Sequence, residues 1–147
     1  MGPYRKTFRF EAPVEQLWEL MSDPDRLPEW NGAFDRVENL TGPLDQVGTT
    51  YTQVMRVAGI ELKGDWEVTE VDPPRSRRFR GTPPGCAACT GSETFEEVDG
   101  GTEYMVEMDY TLRGGPAGKA IDRLFGRSLF KRIVERNVQR LRQILER

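Results

Sequence analysis

The sequence predicts an α+β fold, in which a curved antiparallel sheet of about seven strands wraps around one long C-terminal helix. Two observations favour it. Strand-like segments follow one another through short turns, and near residue 117 the apolar period becomes helical. Strands joined by tight turns form antiparallel sheets, and a sheet with one apolar face needs a cover. At 147 residues the chain fits one domain, residues 1–147.

The chain begins with a predicted strand at residues 3–11, followed by two short helices. The apolar side chains of residues 13–21 recur at helical spacing, and Pro13 is a favoured first helical residue. The Ser-Asp-Pro stretch at residues 22–24 ends this helix and starts a second short helical segment.

The middle of the chain predicts the remaining strands, at residues 34–40, 49–57, 60–71, 77–82, 88–97 and 103–113. The last of them alternates most clearly between large apolar and mostly acidic side chains. Asp99-Gly100-Gly101 predicts a hairpin between the last two strands.

The last element is a predicted helix over residues 117–146 with one broad apolar stripe. Residues 117–147 carry nine basic and three acidic side chains, so this segment is +6, whereas the rest of the chain is −9. Such a basic segment can bind nucleic acid or anionic lipid, or simply face solvent and pair with the acidic body. We expect the solvated face, and no nucleic-acid partner.

The composition excludes several classes of function. The chain has no histidine, so a Ser-His-Asp or Cys-His mechanism would need a partner's residue. Cys86 and Cys89 form a lone Cys-x-x-Cys, which lacks the further ligands of a zinc site. We expect no metal site and no cofactor, and we interpret both cysteines as incidental small residues, with a redox role as the alternative.

Membrane-spanning and secretory segments in a sequence indicate where a protein is located. No apolar run approaches the ~18–20 residues of a membrane span, and the first twenty residues lack the layout of a secretory signal. We therefore expect a cytoplasmic protein without stable membrane insertion.

The predicted inner face of the sheet is rich in aromatic residues and methionine, which is typical of ligand pockets. The alternative is a filled core. The predicted ligand-binding wall comprises Trp30, Phe34, Tyr51, Gln53, Met55, Trp66, Tyr104, Met108 and Tyr110, with Phe125 and Leu129 on the helix. Trp30 either closes the mouth of the cavity or only anchors its short helix.

No residue is assigned a catalytic role. The carboxylates of the two clearest strands share the polar phase, while Glu93 stays undecided because residues 88–97 do not alternate cleanly. Tyrosine hydroxyls and Gln53 are the candidate inner polar groups. Arg78 and Arg80 can reach an anionic ligand end, although a surface role is favoured.

Three stretches near the start, middle and end of the chain are informative together: "FEAPVEQLWELMSDPDRLPEWN", "VGTTY" and "RLRQILE". With the element order, they resemble the polyketide cyclase/dehydrase and lipid-transport group of the START-like (SRPBCC) superfamily. The resemblance implies a helix-grip fold with a deep hydrophobic cavity closed at one end by the short helices. It also implies binding of lipids, sterols, polyketides or similar molecules, and in some members cyclisation or dehydration of polyketide chains.

The predicted function is therefore binding of a hydrophobic or amphipathic, lipid- or polyketide-like small molecule between the sheet and the C-terminal helix. An enzyme of the polyketide cyclase/dehydratase type, acting in the same cavity, is the alternative. A protein-interaction module using the basic helix face is a third hypothesis. The partner is expected to be an apolar small molecule, with the protein a monomer or homodimer.

Overall fold

The computed structural model describes residues 4–114 and 127–146, apart from the side chains of residues 127–129. The elements are β1 (Tyr4–Phe10), α1 (Val14–Ser22), a 3₁₀ turn (Pro24–Arg26), α2 (Leu27–Trp30), β2 (Arg36–Glu38), β3 (Thr50–Val57), β4 (Ile60–Asp72), β5 (Ser76–Thr82), β6 (Cys86–Val98), β7 (Gly101–Leu112) and α3 (Arg127–Leu145).

The seven strands form one antiparallel sheet in the order β1-β7-β6-β5-β4-β3-β2. The predicted fold class is confirmed: two short helices follow β1, and the long C-terminal helix packs against the sheet. Predicted strand bounds agree with the observed ones to within two residues at each end. The predicted helical segment at 117–126 lies outside the described residues.

Local sequence explains the two tightest hairpins. Asp99 and Gly100 both adopt positive φ, 50° and 79°, as a two-residue hairpin turn of the right-handed sheet requires. Ala58 and Gly59 do the same between β3 and β4, with φ of 51° and 82°. Next to this second turn, Ile60 and Leu62 are 63% and 41% exposed, although they share the phase of the buried Trp66. They lie at the end of the hairpin, where the described elements do not cover them.

The core lies between the concave face of the sheet and the helices. From α1, Leu17, Trp18 and Met21 are buried, and the Trp18 ring packs edge-on against Phe95 at 5.1 Å. From α3, Val138 and Leu141 are almost fully buried.

Polar contacts hold α3 along β1. Arg142 donates to the Arg9 carbonyl at 3.0 Å, and Lys6 pairs with Glu135 at 3.2 Å. The basic residues Lys131, Arg132 and Arg136 of this helix are exposed. This exposure is compatible with the solvated face expected from the sequence.

No helix in residues 4–114 or 127–146 has the length and apolar character needed to cross a bilayer.

Candidate functional site

A cavity of about 320 Å³ lies between the inner face of the sheet, α2 and α3. Its volume is at the small end of the roughly 300–1,000 Å³ range of ligand pockets. Nine of the predicted wall residues line it: Trp30, Phe34, Tyr51, Gln53, Met55, Trp66, Tyr104, Met108 and Tyr110. Their part in binding a ligand remains a prediction.

On the helix, the structure does not describe the two side chains that were predicted to line the cavity. Phe125 falls outside the described residues, and Leu129 lies in α3 with a side chain that is also outside them. The described helix residues that line the cavity are Phe130, Ile133, Val134, Asn137, Val138 and Leu141.

The inner wall contains a buried polar cluster, formed by Arg77, Glu93, Tyr104 and Ser22. Arg77 of β5 is only 5% exposed, and its strand position puts it in the phase of Phe79. Its five N–H donors reach Glu93 Oε1 (3.1 and 3.0 Å), Ser22 Oγ (3.1 Å) and the Leu44 and Met21 carbonyls (both 3.2 Å). A guanidinium has five donors, so the whole set is used within the protein.

Glu93 completes the cluster from β6. Its Oε1 accepts both Arg77 bonds, and its Oε2 accepts the Tyr104 hydroxyl at 2.6 Å. Burial, with the Glu93 carboxylate beside it, raises the pKa of Tyr104 well above its usual value. The phenol therefore stays protonated. It donates to Glu93 and is not poised to lose its proton.

Gln53 links three elements of the wall. It accepts the Trp66 indole N–H at 2.8 Å and donates to the Ala33 carbonyl at 2.7 Å. Trp66 in turn stacks edge-on against Phe79 at 5.4 Å. The amide predicted as a ligand contact thus holds Trp66 and the α2–β2 connection in place, although it lines the cavity.

Trp30 differs from Trp66 because its indole N–H is buried and has no acceptor among the described residues. The residue is 6% exposed and lines the cavity. A buried donor left unpaired typically costs about 1–3 kcal/mol. Trp30 is therefore packed in the interior and also lines the cavity. The sequence had left anchoring of its helix and closure of the cavity as alternatives.

Tyr51 adds a neutral hydroxyl group to the cavity wall. Its ring lies 6.3 Å from that of Phe34, and its hydroxyl has no hydrogen bond within the described residues. Burial raises the pKa of Tyr51, with Arg77 acting in the opposite direction and Glu93 in the same one. The hydroxyl therefore remains protonated near neutrality and can donate or accept.

Cys86 and Cys89 are buried thiols, not joined in a disulfide, and both line the cavity. Burial, then the neighbouring Cys86 and Asp109, raises the pKa of Cys89 to about 12. A thiol that stays protonated is a poor nucleophile, which argues against a reactive pair. In residues 4–114 and 127–146 no group of three or more His, Cys, Asp or Glu side chains could hold a metal ion.

Sequence reasoning missed Arg77 and left Glu93 undecided. A signal was available: Arg77 shares the strand phase of Phe79, and Glu93 shares that of Phe95. The favoured surface role of Arg78 and Arg80 is confirmed, since both are exposed, with Arg80 pairing to Glu67 at 2.8 Å. The polar-phase carboxylates of β4 and β7 do not line the cavity.

The sequence profile of the family described as "Polyketide cyclase / dehydrase and lipid transport" matches residues 1–146. No curated protein matches the chain.

Several solved structures share the fold. Protein CV1439 from Chromobacterium violaceum has 14% identity and a TM-score of 0.78, with 99% of this chain and 98% of that one covered. TTHA0849 from Thermus thermophilus has 19% identity and a TM-score of 0.75, covering 96% and 94%. StfQ, a di-domain ARO/CYC of the steffimycin biosynthetic pathway, has 12% identity and a TM-score of 0.74, covering 98% of this chain and 50% of that one. At these identities the likeness concerns the fold alone.

Proposed function

The chain belongs to the polyketide cyclase/dehydrase and lipid-transport family, and we propose that it binds a hydrophobic or amphipathic small molecule, lipid- or polyketide-like, between the sheet and α3. The observation that carries the proposal is the cavity of about 320 Å³ with its mainly aromatic and aliphatic wall. Apolar walls with sparse polar groups are typical of small-molecule sites.

Binding is favoured over catalysis because the charged groups on the wall are occupied. Arg77 uses its five donors on protein acceptors, and Glu93 Oε1 and Oε2 both accept protein donors. A general acid or base must be able to exchange a proton with the substrate. The polar cluster instead supports the wall, leaving shape and apolar area to hold the ligand.

A matched pair of Val→Phe variants tests the location of binding. Val134 lies on α3 and lines the cavity, whereas Val57 is 47% exposed at the far end of β3. The probe is prodan, a neutral naphthyl ketone whose emission shifts to the blue in apolar surroundings. We expect Val134→Phe to reduce its affinity at least about tenfold, a loss of ~1.4 kcal/mol in binding, and Val57→Phe to leave it unchanged.

Thermal melting of both variants shows whether they remain folded, because an added ring in a packed interior commonly costs about 1–3 kcal/mol. Native mass spectrometry of the wild-type protein checks for a co-purified small molecule. Equal affinity in the two variants, or no binding of prodan to the wild-type protein, would refute binding in this cavity.

A polyketide cyclase/dehydratase-type activity is the second candidate, and one observation favours it. Tyr104, Glu93 and Arg77 converge on the cavity wall, with the Tyr104 hydroxyl 2.6 Å from Glu93. To orient a substrate carbonyl, the phenol would have to release Glu93 and turn its O–H toward the substrate. Under this hypothesis Tyr104→Phe abolishes turnover of a poly-β-ketone substrate but preserves its binding. Retained turnover in Tyr104→Phe would remove the tyrosine from any mechanism.

A further inference from the structure

Two buried side-chain polar atoms have no hydrogen-bond partner among the described residues: Trp30 Nε1 and Tyr4 Oη. Of the two residues, only Trp30 lines the cavity. An indole N–H can donate but never accept. Native proteins pair nearly all buried polar groups, so an orphan at a cavity wall needs an explanation.

The charges on the wall constrain what can satisfy this donor. Among the described lining residues, the only formally charged side chains are Arg77 and Glu93. They lie 3.0 Å apart and are 5% and 7% exposed. An anionic ligand would have to compete with Glu93 for Arg77, and a cationic ligand would compete with Arg77 for Glu93. Both cases leave one buried charge without its partner, which is strongly unfavourable.

The neighbouring polar tips are neutral. Gln53 already bonds Trp66 and Ala33 through its two amide atoms. The Tyr51 hydroxyl is protonated and can add a second hydrogen bond. Besides its apolar wall, the site therefore presents the obligate donor of Trp30 and the neutral hydroxyl of Tyr51, together with other uncharged polar side chains: Asn31, Asn137, Tyr104 and Tyr110.

We infer that the ligand is a neutral, largely apolar molecule with a hydrogen-bond acceptor such as a ketone, ester or ether oxygen, and that the Trp30 indole N–H is the donor that recognises it. This assignment depends on the proposed function, because it specifies the class of molecule that the same cavity takes. It makes Trp30 a specificity-determining residue. In the bound complex the ligand's apolar body lies against the wall, and the Trp30 ring turns so that its N–H, which is fully buried in this structure, meets the acceptor oxygen.

The test uses three naphthalenes of similar size: acetylnaphthalene, which has the acceptor; isopropylnaphthalene, which has its shape without the acceptor; and naphthoate, which is charged. The variants are Trp30→Phe, which removes the donor but keeps an aromatic ring, and Trp18→Phe. Trp18 is buried against Phe95 and does not line the cavity, so it controls for the loss of a buried indole.

We expect wild-type protein to bind acetylnaphthalene more tightly than naphthoate. Trp30→Phe should weaken acetylnaphthalene about tenfold, the value of a typical hydrogen bond, and should change isopropylnaphthalene by less than about twofold. Trp18→Phe should leave the ratio of the two affinities unchanged.

A second measurement does not depend on the folding of any substituted protein in the titration. Incorporating nitrogen-15-labelled tryptophan gives one indole N–H signal for each of the three tryptophans, assigned by comparison with the single variants or, if one fails to fold, by contacts to neighbouring residues. Acetylnaphthalene should move the Trp30 indole proton downfield, as a new hydrogen bond does, whereas isopropylnaphthalene should not.

The outcomes separate the two proposals. If all three probes fail to bind, both the proposed function and this inference are wrong. If they bind but Trp30→Phe weakens the ketone and the hydrocarbon equally, or the Trp30 signal responds equally to both, binding stands and the donor role is refuted. If naphthoate binds most tightly, the neutral ligand class is refuted.

Discussion

At Arg77 an entire guanidinium is satisfied inside the protein by one carboxylate, one hydroxyl and two carbonyls. The carboxylate is the only charged member of this set, so Glu93 alone neutralises the buried cation. The Arg77 guanidinium also lies 5.1 Å from the centre of the Trp18 ring. Arg77 therefore joins α1, the Leu44 loop and β6 from a position on β5.

Removing the negative charge of Glu93 should show how much the protein's stability depends on this cluster. Glu93→Gln keeps the side-chain shape but leaves Arg77 as an uncompensated buried charge, which typically destabilises a protein by about 3–5 kcal/mol. The matched control is Glu67→Gln, which breaks the exposed pair with Arg80 and should cost at most about 1 kcal/mol. Urea unfolding measures both. Equal losses would show that the cluster is no more important than a surface pair.

Cys89 makes the stability of the protein depend on pH. Its thiol keeps its proton up to a pKa of about 12 in the folded protein, compared with 9.0 for an ordinary thiol. A raised folded pKa contributes stability that is complete below the unfolded pKa and is lost as pH rises through the folded pKa.

Between about pH 9 and 12, therefore, the free energy of unfolding should fall less steeply in Cys89→Ala than in wild type. Below this window the two curves should run parallel, which provides the internal control. Chemical denaturation across the pH series measures the slopes. Identical slopes above pH 9.0 would contradict the assigned shift.

At the scale of elements, β6 explains why the sequence pattern was unclear. Its inward positions are Cys89, Gly91, Glu93 and Phe95, and a bulge in its pairing with β7 follows Cys86. A Cβ on Gly91 would lie 2.4 Å from the Met108 sulfur and 2.5 Å from a Phe79 ring carbon, so neighbouring side chains fill that position. Two inward positions of β6 thus hold a glycine and a carboxylate instead of large apolar residues. For this reason the strand shows no clear apolar alternation in the sequence.

The connection between α2 and α3 depends on a pair of asparagines. Asn137 accepts the Gly32 N–H at 3.0 Å and donates to Asn31 Oδ1 at 3.2 Å. Both asparagines line the cavity, so these bonds hold one part of its wall together.

Asn137→Ala should loosen this wall and speed ligand dissociation by about fivefold to tenfold, the equivalent of one net hydrogen bond. Stopped-flow displacement of prodan measures the dissociation rate. Gln139→Ala is the control, because Gln139 is exposed on the same helix and should leave the rate unchanged. An unaltered rate in Asn137→Ala would show that ligand release does not pass between α2 and α3.

At the scale of the whole molecule, the order and type of elements were predictable because periodicity and turn residues report them directly. Whether the interior is filled or hollow was not predictable. The same aromatic residues suit either case, and the answer depends on how α3 sits over the sheet. The polar cluster was also missed, because Arg77 and Glu93 are separated by sixteen positions in the chain and become neighbours only through the β5–β6 register.

The sheet order has a consequence for synthesis of the protein on the ribosome. β1 pairs with β7, with Tyr4 opposite Met108 and Phe8 opposite Tyr104. Chains are synthesised at roughly 5–20 residues per second. Several seconds therefore pass between the synthesis of β1 and that of β7, and during this time Phe8 and Phe10 of β1 are exposed. A nascent chain halted at residue 100 should therefore be cut rapidly within β1 by a protease, whereas the completed protein resists. A chain released before β7 is made lacks the strand with which β1 pairs.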